Sequence, residues 1–155
     1  MISKTNATDG TNSTLYWGKN LKGKNVAGIR ETTYQSEAKI DFNGKANTAA
    51  IIAAYSQHSV DMDSRDMCKV LSSYTEGGFT DWYVPAAGQL YEMYRNGSNI
   101  NAALQNIGGT AFELENYWSS SEYDSSNAWR VYLGNGFAGD YNKNNDYLVR
   151  FIRDI

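Results

Sequence analysis

The last 39 residues, Tyr117–Ile155, constrain the fold more than any other part of the chain. Apolar and aromatic residues bracket this stretch, at Tyr117–Trp118 on one side and at Leu148–Arg153 on the other. Between Glu122 and Leu148 stand five Asn, four Tyr, three Asp, two Ser and three Gly. This composition is typical of binding loops, because Tyr gives a large contact area with few rotatable bonds and Ser, Gly and Asn give adaptable hydrogen bonding. The pattern therefore predicts a fixed framework with a polar and aromatic middle.

Length and composition fit one globular domain. A chain of 155 residues can bury a core, and 41% hydrophobic residues with 14% aromatic residues distinguish it from a disordered segment. The formal net charge of −3 provides no basic surface for a nucleic-acid backbone or an anionic membrane. No run of apolar residues is long enough to span a bilayer. We therefore expect neither nucleic-acid binding nor direct membrane insertion.

Cysteine and histidine are too scarce for the common catalytic and metal sites. Cys68 is the only cysteine, which excludes an intrachain disulfide, and its apolar neighbours predict a small buried side chain. His58 is the only histidine, so the sequence offers few side chains for a Ser-His-Asp triad or a His-based metal site. Glu113 and Glu115 near Glu122 form the kind of carboxylate group that glycosidases use, but acidic proteins commonly contain such groups. We expect no enzyme activity, no cofactor and no metal.

Apolar periodicity and turn residues predict an α+β domain. Residues 1–13 are small and polar, which predicts a flexible leader before a domain over residues 14–155. The predicted helices are one with Asn47 as its N-cap, one over Ser64–Tyr74, one after Pro85 with Gly97 as its C-cap, and a short one over Ile100–Ile107. The predicted strands are Leu15–Trp17, Val26–Arg30, Phe79–Val84, Ala128–Leu133 and Val149–Ile152, with a hairpin turn at Asn135–Gly136. Helices first and an irregular sheet last indicate the α+β class.

Several motifs resemble one known family. They are Trp82–Tyr91, Ile100–Leu104, Ile107–Thr110, Tyr117–Glu122, Ala128–Trp129, Gly136 and Val149–Arg150. Together these motifs resemble the variable proteins of diversity-generating retroelements, which are common in gut bacteria and their phages. The resemblance covers about Asn47 to Ile155. It implies a C-type lectin-like fold, in which helices flank a small mixed or antiparallel sheet with an irregular C-terminal binding face.

The resemblance also implies that a reverse transcriptase rewrites the C-terminal codons by miscopying template adenines. The composition of the stretch agrees with this mechanism. Single changes at the two adenines of an Asn codon give Tyr, Asp, His, Ser, Thr or Ile, and double changes give Gly, Arg, Phe or Leu among others. None of these changes gives a stop codon when the third base is a pyrimidine.

Carried over residue by residue, the resemblance implies a variable region over about residues 117–155. The positions that match the family's diversified sites, and that we expect to contact ligand, are Asp124, Ser126, Asn127, Arg130, Tyr132, Gly134, Asn135, Phe137, Gly139, Asp140, Tyr141, Asn142, Asn144, Asn145 and Asp146. The positions that match its invariant scaffold are Trp118, Ala128, Trp129, Val131, Gly136, Val149 and Arg150. Strand alternation supports this division, since it separates Trp129 from Arg130. We expect one face to hold the core and the opposite face to be exposed and replaceable.

Individual side chains in and near this region carry more specific expectations. We predict core positions for Trp82, Trp118 and Trp129, surface positions for Phe137 and Tyr141, a scaffold position for Tyr123 and a solvated position for Lys143. Arg150 and Arg153 are expected to pair with carboxylates such as Glu122.

Two other interpretations of the polar run stay open. Asp140, Asn142, Asn144 and Asp146 offer oxygen atoms on alternate residues, as a calcium loop does, but the Gly and the final Glu of an EF-hand are missing. Pro85 is the only proline, so the Pro-containing sugar-binding triplets of calcium-dependent lectins are absent as well. An ordinary polar loop, or an interaction domain with a fixed partner and no diversification, would show the same composition.

The resemblance leads to an expected function in receptor binding. We expect a phage tail protein that attaches to its host, with a bacterial cell-surface adhesin as the alternative. The expected ligand is a protein or a glycan of the bacterial surface, and the expected location is the virion or the bacterial cell surface. A homotrimer is expected in the full-length assembly.

Overall fold

Five α-helices and five short strands build the protein in a computed structural model that describes residues 1–155. In chain order they are β1 (Leu15–Tyr16), α1 (Gln35–Ala38), α2 (Gly44–Gln57), α3 (Met67–Leu71), α4 (Ala87–Arg95), α5 (Gly97–Asn106), β2 (Asn116–Glu122), β3 (Asn127–Tyr132), β4 (Phe137–Asn142) and β5 (Asp146–Tyr147). The α+β class is confirmed, and the arrangement is consistent with a C-type lectin-like fold. None of the helices has both the length and the apolar character needed to cross a membrane.

The central sheet consists of antiparallel β2, β3 and β4 in that order. The register between β2 and β3 is irregular between Trp118 and Glu122, whereas β3 and β4 pair residue by residue. The predicted hairpin turn at Asn135–Gly136 joins β3 to β4. Gly136 is required there, because its φ of 75° is left-handed and an added Cβ would lie 2.5 Å from the Tyr94 ring. A second sheet of two antiparallel strands joins β1 to β5 and ties the polar stretch to the start of the domain.

Hydrophobic side chains pack on both faces of the central sheet. The adjacent residues Tyr117 and Trp118 belong to different clusters, because successive side chains of a strand point to opposite faces. One cluster includes Trp17, Ile51, Met67, Trp82, Trp118, Ala128, Val149 and Phe151. The other includes Tyr83, Leu90, Met93, Tyr117, Trp129, Val131, Ala138 and Leu148. The prediction that Trp82, Trp118 and Trp129 are core residues is confirmed.

Helix α2 begins before the predicted N-cap. Asn47 lies inside the helix, where it is buried and donates from Nδ2 to Asp41 Oδ2 at 2.9 Å. The helix begins instead at Gly44, which packs against the segment before α4. A Cβ at Gly44 would meet the Ala86 amide nitrogen at 2.8 Å and the Val84 carbonyl oxygen at 2.9 Å. Tertiary packing therefore sets this boundary, and the local capping signal does not.

Three predicted strands and one predicted cap differ from the structure. Val26–Arg30 forms turns, and Phe79–Val84 and Val149–Ile152 are extended segments that share one bridge, between Tyr83 and Ile152. Most of their apolar side chains, though not that of exposed Phe79, are buried within the two clusters without a continuous strand partner. Gly97, the predicted C-cap, is instead the first residue of α5. Asn96 is the C-cap of α4.

The first residues pack against the C-terminal segment, in contrast to the flexible leader predicted over residues 1–13. The Ser3 and Ala7 amides donate to the carbonyls of Phe151 and Val149 at 2.9 and 2.8 Å. The side chains of Ser3 and Ala7 are buried. Composition predicts a leader because these residues are small and polar. Their backbone amides nevertheless donate to carbonyl groups about 145 positions away in sequence.

The Cys68 thiol is expected to resist modification in the folded protein. Its side chain is fully buried, as predicted, and burial raises the pKa of the thiol, so the reactive thiolate is scarce. We expect Ellman's reagent to react roughly 100-fold or more slowly in buffer than in denaturing guanidinium chloride, because modification requires an opening of the core. Ser73→Cys in a Cys68→Ser background supplies an exposed control thiol. Equal rates for the two thiols in buffer would contradict the burial of Cys68.

Candidate ligand-binding surface

Fourteen of the fifteen predicted contact positions retain solvent access. The exposed positions are Gly134, Asn135, Phe137, Asp140, Tyr141, Asn144 and Asp146. The half-buried positions are Asp124, Ser126, Asn127, Arg130, Tyr132, Asn142 and Asn145. The fifteenth, Gly139, is buried but has no side chain. Phe137 and Tyr141 are 48% and 45% exposed, which confirms the prediction that both aromatic rings lie at the surface.

The register of the central sheet places five of these positions on one face. Directly paired residues point to the same side, and Tyr132 pairs with Phe137 while Arg130 pairs with Gly139. The alternation predicted for β3 is confirmed, because Trp129 and Val131 are buried on the other side. The surface formed by Arg130, Tyr132, Phe137, Gly139 and Tyr141 is named the Arg130 face.

Three predicted contacts lie on the opposite face of the same strands. Asp140 pairs with Trp129, and Asn142 pairs with Asn127, two residues before Trp129. The expectation of a single replaceable face is therefore wrong for Asn127, Asp140 and Asn142. Side chains of a strand alternate, so a run of consecutive polar residues in β4 must supply both faces of the sheet.

The remaining positions lie in three connections between strands. They are Asp124 and Ser126 between β2 and β3, Gly134 and Asn135 between β3 and β4, and Asn144 and Asn145 between β4 and β5, while Asp146 is the first residue of β5. These loops lie at the ends of the strands that carry the Arg130 face.

Two aspartates among the predicted contacts form hydrogen bonds within the fold, Asp124 inside its own loop and Asp146 to distant segments. The Asp124 carboxylate accepts the backbone amides of Ser126 and Asn127 at 2.8 and 2.7 Å. Asp146 forms an ion pair with Arg65 and accepts the Thr14 hydroxyl at 2.5 Å. Asp124 and Asp146 therefore have structural roles in addition to any contact with ligand.

Arg130 lies at the centre of its face among polar and aromatic groups. Its Nη1 donates to Asn116 Oδ1 at 2.6 Å. The guanidinium carbon lies 6.0 and 5.6 Å from the ring centroids of Tyr141 and Tyr147, within the range of cation–π attraction. The Nε atom is buried and has no hydrogen-bond partner. Sequence reasoning missed Asn116 and Tyr147, although strand alternation puts Asn116 on the same side as Trp118, the partner of Arg130.

Lys143 is the one cation of the polar run that is not available to a ligand, and the prediction that it is solvated is wrong. Its side chain is fully buried, with Nζ 2.5 Å from Glu122 Oε1 and 2.9 Å from the Lys24 carbonyl. Nζ also lies 4.8 Å from the centroid of the Trp17 ring. Burial raises the pKa of Glu122 and lowers the pKa of Lys143, while the bond between them opposes both changes. The pair fixes the end of β4 to β2.

Arg150 binds backbone oxygens, which corrects the expected pairing with Glu122. Its Nη1 donates to the carbonyls of Ser3, Lys4 and Thr110 at 3.0, 3.0 and 3.2 Å. Its Nε donates to Asn6 Oδ1 at 2.8 Å. This guanidinium joins the N-terminal segment, the loop before β2 and the C-terminal segment.

Arg153 is the arginine that pairs with a carboxylate, as predicted, and its partner is Asp81. The bond is side-on, with Nε and Nη2 donating at 2.7 and 3.1 Å. Tyr123, predicted to belong to the scaffold, packs against Trp129 with ring centroids 5.2 Å apart.

The surface offers only shallow concavities beside the Arg130 face. A hollow of about 160 Å³ is lined by Ser13, Thr14, Glu113, Glu115, Asn116, Tyr147 and Leu148. A larger hollow of about 490 Å³ lies elsewhere, around Ile29, Ile40, Asp41 and Asn43. No group of three or more His, Cys, Asp and Glu side chains is arranged to hold a metal ion.

Comparison with protein families decides the affiliation of the chain. The family described as the Lcl C-terminal domain matches residues 6–153, which include Arg150 and the whole Arg130 face. The chain belongs to the Lcl C-terminal domain family. No curated protein matches its sequence.

Among solved structures, this Lcl C-terminal domain is similar to a fimbrial protein from Bacteroides ovatus. The TM-score is 0.69 at 20% sequence identity, and the match covers 89% of this chain and 33% of that one. The chain therefore spans about a third of the length of the fimbrial protein. At this identity the likeness establishes the shared fold and leaves ligand and partner to be argued from the site.

The buried Lys143–Glu122 pair is expected to be essential for stability. Lys143→Ala leaves the Glu122 carboxylate buried without its partner, which should reduce the free energy of unfolding by about 3–5 kcal/mol. Urea denaturation of both proteins measures the difference. Lys19→Ala removes a cation from the exposed Lys19–Asp63 pair and should change the same free energy by at most about 1 kcal/mol. A loss below about 1 kcal/mol for Lys143→Ala would show that the pair does not anchor β4.

The Arg130 face and the loop after β4 are expected to tolerate substitution. Phe137→Ala, Tyr141→Ala and Asn144→Ala should each reduce the free energy of unfolding by less than about 1 kcal/mol, because these side chains are exposed. Trp118→Ala, on the same face but fully buried, should reduce it by about 3–5 kcal/mol. The same urea titrations test both groups, and comparable losses in the two would contradict the division into scaffold and surface.

Proposed function

We propose that this Lcl C-terminal domain is a non-enzymatic ligand-binding module on a bacterial cell surface or on a phage tail. Its Arg130 face and the adjoining loops contact a protein or glycan of a bacterial surface. The strands beneath stay fixed while the contact residues differ among relatives. The contact is macromolecular, because the neighbouring hollow of about 160 Å³ is smaller than typical small-molecule pockets.

One observation carries the proposal: half-buried residues that reach solvent alternate with buried ones along the same strand. In β3, Arg130 and Tyr132 reach solvent while Trp129 and Val131 are buried. Aromatic residues and arginine are enriched at protein interfaces, where they supply much of the binding energy. A rigid strand that presents these residues forms a preorganised contact surface, which lowers the entropy lost on binding.

The comparisons support a surface location for the proposed module. The structural neighbour is a fimbrial protein, and the present chain corresponds to about a third of that protein. A domain carried by a larger surface assembly would be displayed in several copies. Multivalent display raises the effective concentration, so a modest contact area per copy is sufficient for attachment. A homotrimer in the full-length assembly fits this proposal.

We further propose that a retroelement diversifies the contact positions. A second copy of the DNA that encodes Tyr117–Arg153 should then lie near the gene, and the two copies should differ only where the template has adenine. Sequencing the neighbouring DNA tests this proposal. Differences at other template bases, or the lack of a second copy, would leave a binding module without diversification.

A fixed-partner interaction domain is the second candidate, and the bonds of Asp124 and Asp146 favour it. Asp124 and Asp146 hold backbone and side-chain partners within the fold. A position that must keep such bonds is less free to vary than Phe137 or Tyr141. Sequences of natural relatives separate the candidates, because diversification predicts different residues at Phe137 and Tyr141 in strains that share the scaffold.

The binding role is tested with a streptavidin-tetramerised form of the full chain on a panel of gut bacteria. We expect binding to at least one strain, with a loss of about 10-fold or more in the triple variant Tyr132→Ala, Phe137→Ala and Tyr141→Ala, since aromatic anchors dominate interfaces. Phe42→Ala with Ile52→Ala removes exposed apolar side chains elsewhere and should leave binding unchanged. Equal losses in the two variants would argue against the Arg130 face as the contact surface.

A further inference from the structure

Arg130 is a cation without a counter-ion. Arg30, Arg65, Arg95 and Arg153 each form an ion pair. The remaining arginine, Arg150, is buried among backbone carbonyls. Arg130 is thus the one solvent-accessible arginine that has no carboxylate within 4.0 Å.

The guanidinium of Arg130 is already oriented by its neighbours. Asn116 holds Nη1, and the rings of Tyr141 and Tyr147 flank the group. Gly139 on the neighbouring strand provides the space, since an added Cβ would lie 3.4 Å from Nη2 and 2.8 Å from the Phe137 ring. Because the bond to Asn116 restrains the Arg130 side chain before binding, a ligand that bonds to Arg130 loses less conformational entropy.

One edge of the guanidinium remains unused. Asn116 occupies Nη1, while Nε has no partner although it is buried. The Nε and Nη2 hydrogens form the side-on edge that binds both oxygens of a carboxylate. Arg153 uses the same two atoms to hold Asp81. Exposed Tyr141 can change rotamer rapidly and admit an acceptor to this edge of Arg130.

The surrounding charges favour a single carboxylate over a polyanion. Glu113 and Glu115 line the adjoining hollow, and the chain carries a net charge of −3. A ligand with many negative charges would be repelled by these groups, whereas one carboxylate placed over Arg130 would be attracted. Exposed Phe137 and Tyr141 beside it suit apolar side chains of a protein partner.

We propose that Arg130 anchors a protein ligand by accepting one Asp or Glu side chain on its Nε–Nη2 edge, with Phe137 and Tyr141 covering the contact. This inference rests on the proposed function, because it uses the same face. It adds the chemistry of the ligand: an acidic residue beside an apolar one on a protein surface.

The test uses phage-displayed random peptides selected on the full chain. Peptides bound by the native protein should be enriched in Asp or Glu next to an apolar residue. Selection on Arg130→Gln should lose the acidic preference, while Arg95→Gln, which alters an exposed arginine of α4, should keep it. In the best peptide, Asp→Asn should weaken binding by about 10- to 100-fold, the range for a charge-assisted hydrogen-bonded pair.

Three further measurements separate the possible failures. Peptides that bind without the Tyr132, Phe137 and Tyr141 side chains would overturn both the proposed function and this inference. Peptides that need those aromatic residues but show no acidic preference would overturn the inference alone.

Heparin serves as a polyanion probe and should compete poorly with the acidic peptides. Stronger competition by heparin than by acidic peptides would also overturn the inference. Arg130→Lys keeps the positive charge but loses the paired N–H donors of the guanidinium, and this variant should bind acidic peptides several-fold more weakly.

Discussion

The buried ion pair between Lys143 and Glu122 is the interaction on which the C-terminal architecture depends. It lies beneath the polar stretch, where Lys143 also meets the Lys24 carbonyl and the face of Trp17. Glu122 in turn accepts the backbone amide of Val26 at 3.2 Å. Two opposite charges buried together cannot be separated without exposing each to an apolar environment, so the end of β4 is held to β2 and to the N-terminal half. The pair therefore restrains the bases of the loops that follow β2 and β4.

A second fixed point joins the ends of the chain. The buried guanidinium of Arg150 donates to backbone carbonyls of the N-terminal segment and of the loop before β2, and to the Asn6 side chain. Trp118 contributes from the sheet, since its indole donates to the Leu15 carbonyl at 3.0 Å. These contacts are long-range and polar, yet they are buried, which gives them defined geometry. Between the two fixed points the strand alternation leaves one side of β3 and β4 free for contact.

The contact surface and the buried framework are formed by the same strands. A face that contains Arg130, Phe137 and Tyr141 has the residue types that dominate protein interfaces, and it is supported by strands that do not need to move on binding. The predicted contacts on the opposite face, which are Asn127, Asp140 and Asn142, are polar and include neither an arginine nor an aromatic ring. The two groups are therefore chemically unequal, although the sequence presents them as one continuous run.

The sequence by itself determined the class of the fold, the buried tryptophans, the hairpin at Gly136 and the exposure of Phe137 and Tyr141. These features depend on local signals: strand alternation, turn chemistry and the contrast between apolar and polar residues. Only the tertiary structure decided that Lys143 is buried, that Arg150 binds the N-terminal segment, and that Asp140 lies on the face opposite Arg130. Each of these depends on a partner far away in sequence or on the register between strands. Polar residues look alike in a sequence whether they face water or a buried partner, because the partner is defined only once distant segments have packed.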